Sequence, residues 1–542
     1  MSCFSKRKNL IIWKFCVLKR VGGRHIFVTK KSMICKTYAA ACIGLQVVTV
    51  TVEADFSAGV GLYIVGMPDI AVKESLMRIT TALRSYGYSI PGKRIVINLA
   101  PADIRKEGSS FDLAIAVALL SEMGAIDPAR ISDFIIMGEL ALDGRIRDIY
   151  GALPIADSCI SRGFRKFIFP HDSAMEAVDL DGATIYGVRT LADVIAVLNG
   201  DITAEELIMH RPGDTAFHPT ATNDFKDVKG QSQARRGLEI AAAGGHNLIL
   251  IGSPGCGKTL MASCLPSILP PMTKEESIQT SKIYSVAGKS IGRSGLMRER
   301  PFRSPHNSAS VVSLLGGGTM AMPGEISLAH NGVLYLDEVT LFSRATLDLL
   351  RQPIEDGRIV ISRARYRVEY PCEFMFVASM NPCPCGYFSD PTHKCKCSER
   401  EISQYLSRVS GPMMDRIDMH IYVERVPAEL LVAEPAAESS IAIAARVAKA
   451  REIQAARFAG DGIFTNSAMT AKMITKYCKL TASQIEFFDK IIERLGLSAR
   501  AYSRILKLAR TISDLAGSRD ITQAAIAEAL QYRNLDRLDW QR

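Results

Sequence analysis

The sequence predicts a multidomain α/β protein, with two successive α/β domains and a helical C-terminal one. Three observations carry this. Short apolar and β-branched runs alternate with helical periodicity over residues 33–200 and again over 225–425. Residues 201–224 interrupt the pattern: Arg211-Pro-Gly-Asp-Thr-Ala-Phe-His-Pro-Thr-Ala-Thr-Asn223 mixes Pro, Gly and Thr without period and reads as a linker. Beyond Pro427 the pattern is almost wholly helical, which makes 426–542 a helical lid. A chain of 542 residues is also too long for one hydrophobic core.

In the first domain, V-V-T-V-T-V-E within Thr37–Val65 alternates at strand period, with a turn near Ser57-Ala58-Gly59. A helix is expected over Ala71–Tyr86, a strand over Arg94–Leu99 and a helix over Phe111–Met123. In the second domain the strand candidates are Asn247–Ile251, Val333–Leu336 and Phe374–Ala378. There is no internal repeat and no long low-complexity tract.

Apolar residues make up 48% and charged residues 23%, the proportions of an ordinary globular chain. No run of about 18 uncharged apolar residues occurs, so no membrane partner is expected and the expected location is the cytoplasm. The net charge is +10, but residues 1–32 hold nine Lys and Arg and no acid, leaving +1 for the rest. Bulk charge therefore does not decide for nucleic acid. That basic leader lacks an uninterrupted apolar core, since Lys14 and Lys19 break it, so it is not read as a secretory signal. Two readings stay open: translation starting at Met33, or a basic DNA-binding arm. The thirteen cysteines are scattered and read as reduced thiols, one cluster excepted.

The chemistry concentrates in 225–425. Asn247-Leu-Ile-Leu-Ile runs as a buried strand into Gly252-Ser253-Pro254-Gly255-Cys256-Gly257-Lys258-Thr259, the G-x-x-x-x-G-K-[ST] phosphate loop. Its glycines let backbone N–H groups face phosphate oxygens, and the following helix adds its positive end. Lys258 is expected on the β/γ-phosphates of ATP and Thr259 on Mg²⁺. Gly332-Val-Leu-Tyr-Leu-Asp337-Glu338 is an apolar strand ending in paired acids. Asp337 suits Mg²⁺, and Glu338 suits the orientation and deprotonation of water. A third strand ends at Asn381, a sensor-1 position beside the γ-phosphate. Arg408 and Arg416 are candidates for an arginine finger serving a neighbouring subunit, with Arg416 preferred, and Arg500 is a sensor-2 candidate in the lid; the alternative for each is a solvated surface arginine. These features predict a P-loop core of the AAA+ (ASCE) type with a parallel sheet.

R-P-F-R-S-P-H, P-G-E-I-S-L-A-H-N-G-V-L-Y-L-D-E, N-P-C-P-C-G-Y and S-G-P-M-M-D-R-I-D together resemble the YifB/ComM family of magnesium chelatase-like AAA+ ATPases, over Met33 to Asn534. The resemblance implies a Lon-protease-like α/β N-terminal domain, a chelatase-type core and a helical lid, assembled as a ring hexamer around a pore. It also implies branch-migration helicase activity on DNA entering by natural transformation.

Arg358-Ile-Val-Ile-Ser-Arg363-Ala-Arg365-Tyr-Arg367-Val-Glu bears on the DNA expectation, because arginines at strand period would present cations to a phosphate backbone. A surface hairpin with solvated arginines is the alternative. The glycine-rich Gly316–Gly324 could form a second, mobile pore loop. Lys106-Glu-Gly-Ser-Ser110-Phe-Asp resembles the Lon loop carrying the nucleophilic serine, at Ser110. Leu153 stands where the partner lysine would be, and an apolar side chain cannot take the proton. The expectation is therefore a binding or assembly domain, with a Lon-like protease as the lesser alternative and a protein-remodelling or chelatase-type motor as the greater one.

Cys383, Cys385, Cys395 and Cys397 gather in one loop after Asn381. Four thiolates suit tetrahedral Zn²⁺, although C-x-C is tighter than the usual spacing. Zinc and metal-free reduced thiols both stay open.

Overall fold

The structure, a computed structural model, describes residues 16–21, 24–29, 35–211, 223–292, 295–362, 367–388, 390, 392–426, 437–495 and 498–533, with backbone alone for 16–29. In the leader, Cys16–Val21 pairs antiparallel with Arg24–Thr29. Most of the proposed linker, 212–222, lies outside the described residues. Apart from short excursions, contacts divide the chain into one compact unit ending at Arg211 and a second spanning the rest.

The first unit is a seven-stranded mixed sheet. Its strands are β1 (Cys35–Ile43), β2 (Gln46–Ser57), β3 (Gly61–Val65), β4 (Arg94–Ala100), β5 (Phe134–Ile136), β6 (Lys166–Pro170) and β7 (Thr184–Val188), in the order β7-β6-β5-β1-β2-β4-β3. The run read from Thr37 to Val65 is three strands, because Gly44 takes φ +60° and turns the chain between β1 and β2. Helix α1 (Ile70–Ser85) starts where the Asp69 carboxylate accepts the Val72 N–H at 2.7 Å. Helix α2 (Asp112–Glu122) is apolar on every side, and Asp112 to Ser121 are all buried, so it forms the centre of this unit. Strands β5 to β7 are short apolar runs that periodicity could not distinguish from helix. The Met209 N–H bonds the Ile185 C=O at 2.8 Å, so residues 201–211 pack on this sheet rather than joining the linker.

The second unit is built on a five-stranded, wholly parallel sheet of β8 (Leu248–Gly252), β9 (Phe302–Arg303), β10 (Val333–Leu336), β13 (Met375–Met380) and β14 (Met419–Val423). Strands β11 (Arg358–Ser362) and β12 (Arg367–Pro371) form a separate antiparallel hairpin. The parallel order is β9-β10-β13-β8-β14. Four of these five strands are buried almost throughout, as expected where helices cover both faces. Two strands escaped the sequence reading: β9, with only two residues, and β14, whose Met-His-Ile-Tyr-Val sits among arginines and lacks alternation.

The C-terminal helices share a core with the parallel sheet. Helix α3 (Ser232–Gly244) lies between the sheet and α4 (Ser440–Arg457), α5 (Ala499–Leu515) and α6 (Gln523–Gln531), and one continuous cluster joins Leu238 and Ile421 to Val447, Ile505, Leu508 and Ile526. Polar contacts join them too. Helix α3 ends at Gly245, φ +69°, and its last carbonyls are capped from α4: Gln454 Nε2 donates to Ala243 O at 2.9 Å and Arg451 Nη2 to Ala242 O at 2.8 Å. Sequence periodicity shows that helices exist here but not what their apolar faces cover.

Candidate nucleotide site

Strand order builds the site. Because β13 lies between β8 and β10, the ends of these strands place the phosphate loop, Asn381 and the Asp337–Glu338 pair side by side. Gly255 at φ +76° and Gly257 at φ +90° supply the left-handed conformations that fold residues 252–259 into a loop, and the following helix opens at Lys258.

Lys258 is buried, and its ammonium donates to Gly252 O at 2.7 Å, Ser253 O at 3.0 Å and Asn381 Oδ1 at 3.1 Å. Thr259 Oγ1 donates to Asp337 Oδ2 at 2.9 Å, which joins the two expected Mg²⁺ ligands. Hydroxyl and carboxylate oxygens are the hard donors this ion prefers, so the residues suit it. Burial pushes the Asp337 carboxyl up, but hydrogen bonds from Ser379, Thr259 and Tyr335 outweigh this and hold it below the ordinary carboxylate range. Glu338 is exposed, with φ +48°. This left-handed backbone costs a bulky residue about 1–2 kcal/mol. It is held there by its N–H, which donates to Asp337 Oδ1 and Ser379 Oγ, each at 3.0 Å.

The sequence reading therefore names Lys258, Thr259, Asp337, Glu338 and Asn381, and the structure brings them together. Ser379 and Tyr335 were missed. Ser379 donates to Asp337 and accepts from Glu338, yet its only sequence signal is a hydroxyl amid the apolar run of β13. Tyr335 is buried in β10, with its hydroxyl 3.4 Å from Thr259 Oγ1.

The arginines are placed elsewhere. Arg416 pairs with Glu355 at 2.8 Å, and Arg500 pairs with Asp415 at 3.2 Å. Both line an open cleft of about 360 Å³ with Arg504 and Lys507. Arg408 Nη1 lies 3.5 Å from Thr340 O, just past Glu338. Among the described residues, no hydrogen bond or ion pair carries Arg408, Arg416 or Arg500 to Lys258 or Asp337 of the same chain.

On the arginine hairpin, Ile359, Ile361, Val368 and Tyr370 are buried while Arg358, Arg367 and Glu369 are exposed. Arg358 pairs with Glu369 at 3.4 Å, so one of its cations already has an anion beside it. Arg363 and Arg365 lie outside the described residues. In the glycine-rich segment, Gly316–Gly317 pairs antiparallel with Met322–Pro323. In the first unit, Ser110 lies in the turn before α2, its C=O accepting the Gly138 N–H at 2.9 Å, and Leu153 is fully buried.

The Sγ atoms of Cys383, Cys385, Cys395 and Cys397 all lie within 4.8 Å of one another. Cys383 is 3.3 Å from Cys385 and 3.7 Å from Cys395, and Cys385 is 3.6 Å from Cys395. The backbone N–H groups of Lys396 and Tyr387 draw the Cys385 thiol below its usual range, whereas burial pushes Cys383 up. Four convergent thiols can hold a metal ion.

Comparison with known proteins finds relatives along most of the chain. Residues 224–431 match the model for magnesium chelatase, subunit ChlI; 52–173 match that for subunit ChlI of Mg-chelatase; and 437–533 match that for the ChlI C-terminal region. The competence protein ComM of Haemophilus influenzae is 42% identical over 506 residues, covering 92% of this chain and 97% of ComM. YifB of Escherichia coli is 41% identical over 505 residues, with 92% and 97% covered. The magnesium-chelatase 38 kDa subunit of Cereibacter sphaeroides is 25% identical over 174 residues, 29% of this chain and 52% of that subunit. No described helix is long and apolar enough to cross a membrane.

Proposed function

As the chain belongs to the magnesium chelatase-like family that contains ComM and YifB, we propose that it is a cytoplasmic AAA+ ATPase that moves along DNA, migrating branches during recombination of DNA taken up by natural transformation. The observation that carries the ATPase reading is the convergence of Lys258, Thr259, Asp337 and Asn381 at adjacent strand ends. Thr259 and Asp337 would hold magnesium, which would supply positive charge against the phosphates. Lys258 and the loop N–H groups bind the phosphate oxygens, Asn381 orients the attacking water, and Glu338 takes its proton.

Arg416 and Arg500 face a cleft of their own, which supports supply of these cations to the nucleotide of a neighbouring copy in a ring hexamer, with Arg408 beside Glu338's turn. The first unit is read as a Lon-like domain without proteolysis, since the buried apolar Leu153 offers no base for Ser110. Zinc is the metal read for the four cysteines.

The DNA part is supported by the name of the Haemophilus relative and by the sequence run that holds Arg358, Arg363, Arg365 and Arg367. A chelatase-type or protein-remodelling motor is the second reading, favoured by the Arg358–Glu369 pair, which offsets one hairpin cation. ATPase turnover with and without branched DNA at low salt separates the two. The DNA reading expects stimulation that is lost on charge reversal at Arg363 and Arg365, whereas turnover indifferent to DNA selects the second.

A further inference from the structure

The cysteine loop does not merely follow Asn381; it lies against the phosphate loop. Gly386 has φ +83°, and a Cβ added there would stand 2.6 Å from Pro254 Cδ, so this backbone sits flush on the phosphate loop's proline. Four residues on, Asp390 Oδ2 accepts a hydrogen bond from Ser253 Oγ at 2.7 Å. Its other oxygen accepts the Thr392 N–H at 2.8 Å, the Thr392 hydroxyl at 2.7 Å and the His393 N–H at 2.9 Å, so the carboxylate cannot turn away without breaking its own turn. Tyr387 stacks on His393 at 4.8 Å, and Arg425 Nη1 reaches His393 Nδ1 at 2.9 Å.

Both contacts to the phosphate loop lie between Cys385 and Cys395. The described residues from Pro382 to Cys397 contain no helix or strand, so no backbone ladder holds this segment in place. Besides the turn bonds of Asp390 and the Tyr387–His393 stack, its ends are joined by the meeting of its thiols. Sulfurs about 2.3 Å from a tetrahedral zinc would stand about 3.8 Å apart, close to the separations among Cys383, Cys385 and Cys395.

We propose that the zinc-closed cysteine loop is a clamp on the phosphate loop, in which Asp390 is a positioning residue that sets nucleotide affinity through Ser253. The inference rests on the zinc and ATPase readings above. On loading, four Cys S–H bonds break, four S–Zn bonds form and four protons pass to solvent, with no electron transfer. Zinc thus fixes the ends of the segment, and Asp390 and Gly386 carry that fixity to Ser253 and Pro254.

The test uses the full-length protein. Elemental analysis is expected to find one zinc per chain, and cobalt substitution to give thiolate-to-metal charge-transfer bands; a protein that folds and carries neither zinc nor these bands overturns the metal part. Asp390→Asn in the zinc-loaded protein is expected to raise Kd for ATP about tenfold, the scale of losing a charged hydrogen-bond acceptor, with zinc content unchanged and KM moved more than kcat. Adding Ser253→Ala to Asp390→Asn is expected to weaken binding little further, because both changes remove one hydrogen bond. Wild-type protein stripped with a chelator is expected to lose affinity to a similar extent and to regain it with zinc alone. Unchanged ATP affinity in both Asp390→Asn and the stripped protein overturns the clamp while leaving the zinc site standing. Absence of hydrolysis in zinc-loaded wild type that still binds ATP overturns the ATPase reading instead.

Discussion

Four donors meet the Asp337 carboxylate: the hydroxyls of Thr259, Ser379 and Tyr335 and the N–H of Glu338. Because its folded pKa is depressed, the ionised form persists below the ordinary carboxylate range, and its stabilising contribution is lost only as pH falls through that depressed value. Ser379→Ala removes one lowering interaction, so the acid limb of the ATPase pH profile is expected to move to higher pH and the Mg²⁺ requirement to rise. Lys258→Ala is expected to reduce turnover at least about 100-fold by removing the phosphate-binding ammonium, whereas Glu338→Gln keeps nucleotide binding and loses a similar factor in kcat alone, as phosphate release and equilibrium binding would register. Glu338→Gly relieves the left-handed backbone at φ +48°. It is expected to raise stability by about 0.5–1 kcal/mol while abolishing hydrolysis, a rise in Tm that scanning calorimetry would detect. Lys258 and Asp337 were legible in the sequence because glycine spacing and an acid-tipped apolar strand are local signals. Ser379 and Asp390 were not, since their partners stand 42 and 137 residues away.

At the scale of elements, α5 (Ala499–Leu515) carries a buried ion cluster. Asp514 is buried and receives Arg457, Arg510 and the Asn466 amide, whose Nδ2 lies 2.8 Å from its Oδ2. Asp514→Ala would leave two arginines with their shared anion gone, and a loss of about 3–5 kcal/mol is expected in urea unfolding monitored by circular dichroism. Gln454→Ala removes one cap on α3 and is expected to cost about 1 kcal/mol by the same measurement. Helix α5 itself was legible from its periodicity. Its role as a wall of the sheet domain's own core was not, because an apolar stripe says that something covers it but not what. The same reasoning explains β14, whose side chains are buried by α3 and the C-terminal helices rather than by any pattern of their own.

For the whole molecule, the decisive question is whether copies complete one another's sites. If Arg416 serves a neighbour, Arg416→Ala and Glu338→Gln proteins are each inactive, yet mixing them restores part of the ATPase activity: at some interfaces an intact Glu338 then meets an intact Arg416. Mixtures that stay inactive while native mass spectrometry shows mixed rings would place Arg416 outside trans catalysis. By itself the sequence determined the phosphate loop, the paired acids, Asn381 at a strand end, the four clustered cysteines and the helical character of the C-terminal region. Each of these is written within about 15 consecutive residues, where spacing alone constrains the backbone. Only the tertiary structure decided that Ser379 supports Asp337, that the cysteine loop lies on Ser253 and Pro254, that Arg416 and Arg500 share one cleft, and that the C-terminal helices finish the core of the nucleotide unit. These depend on strand order and on which apolar faces meet, and both are settled by burial over the whole chain rather than by neighbouring residues.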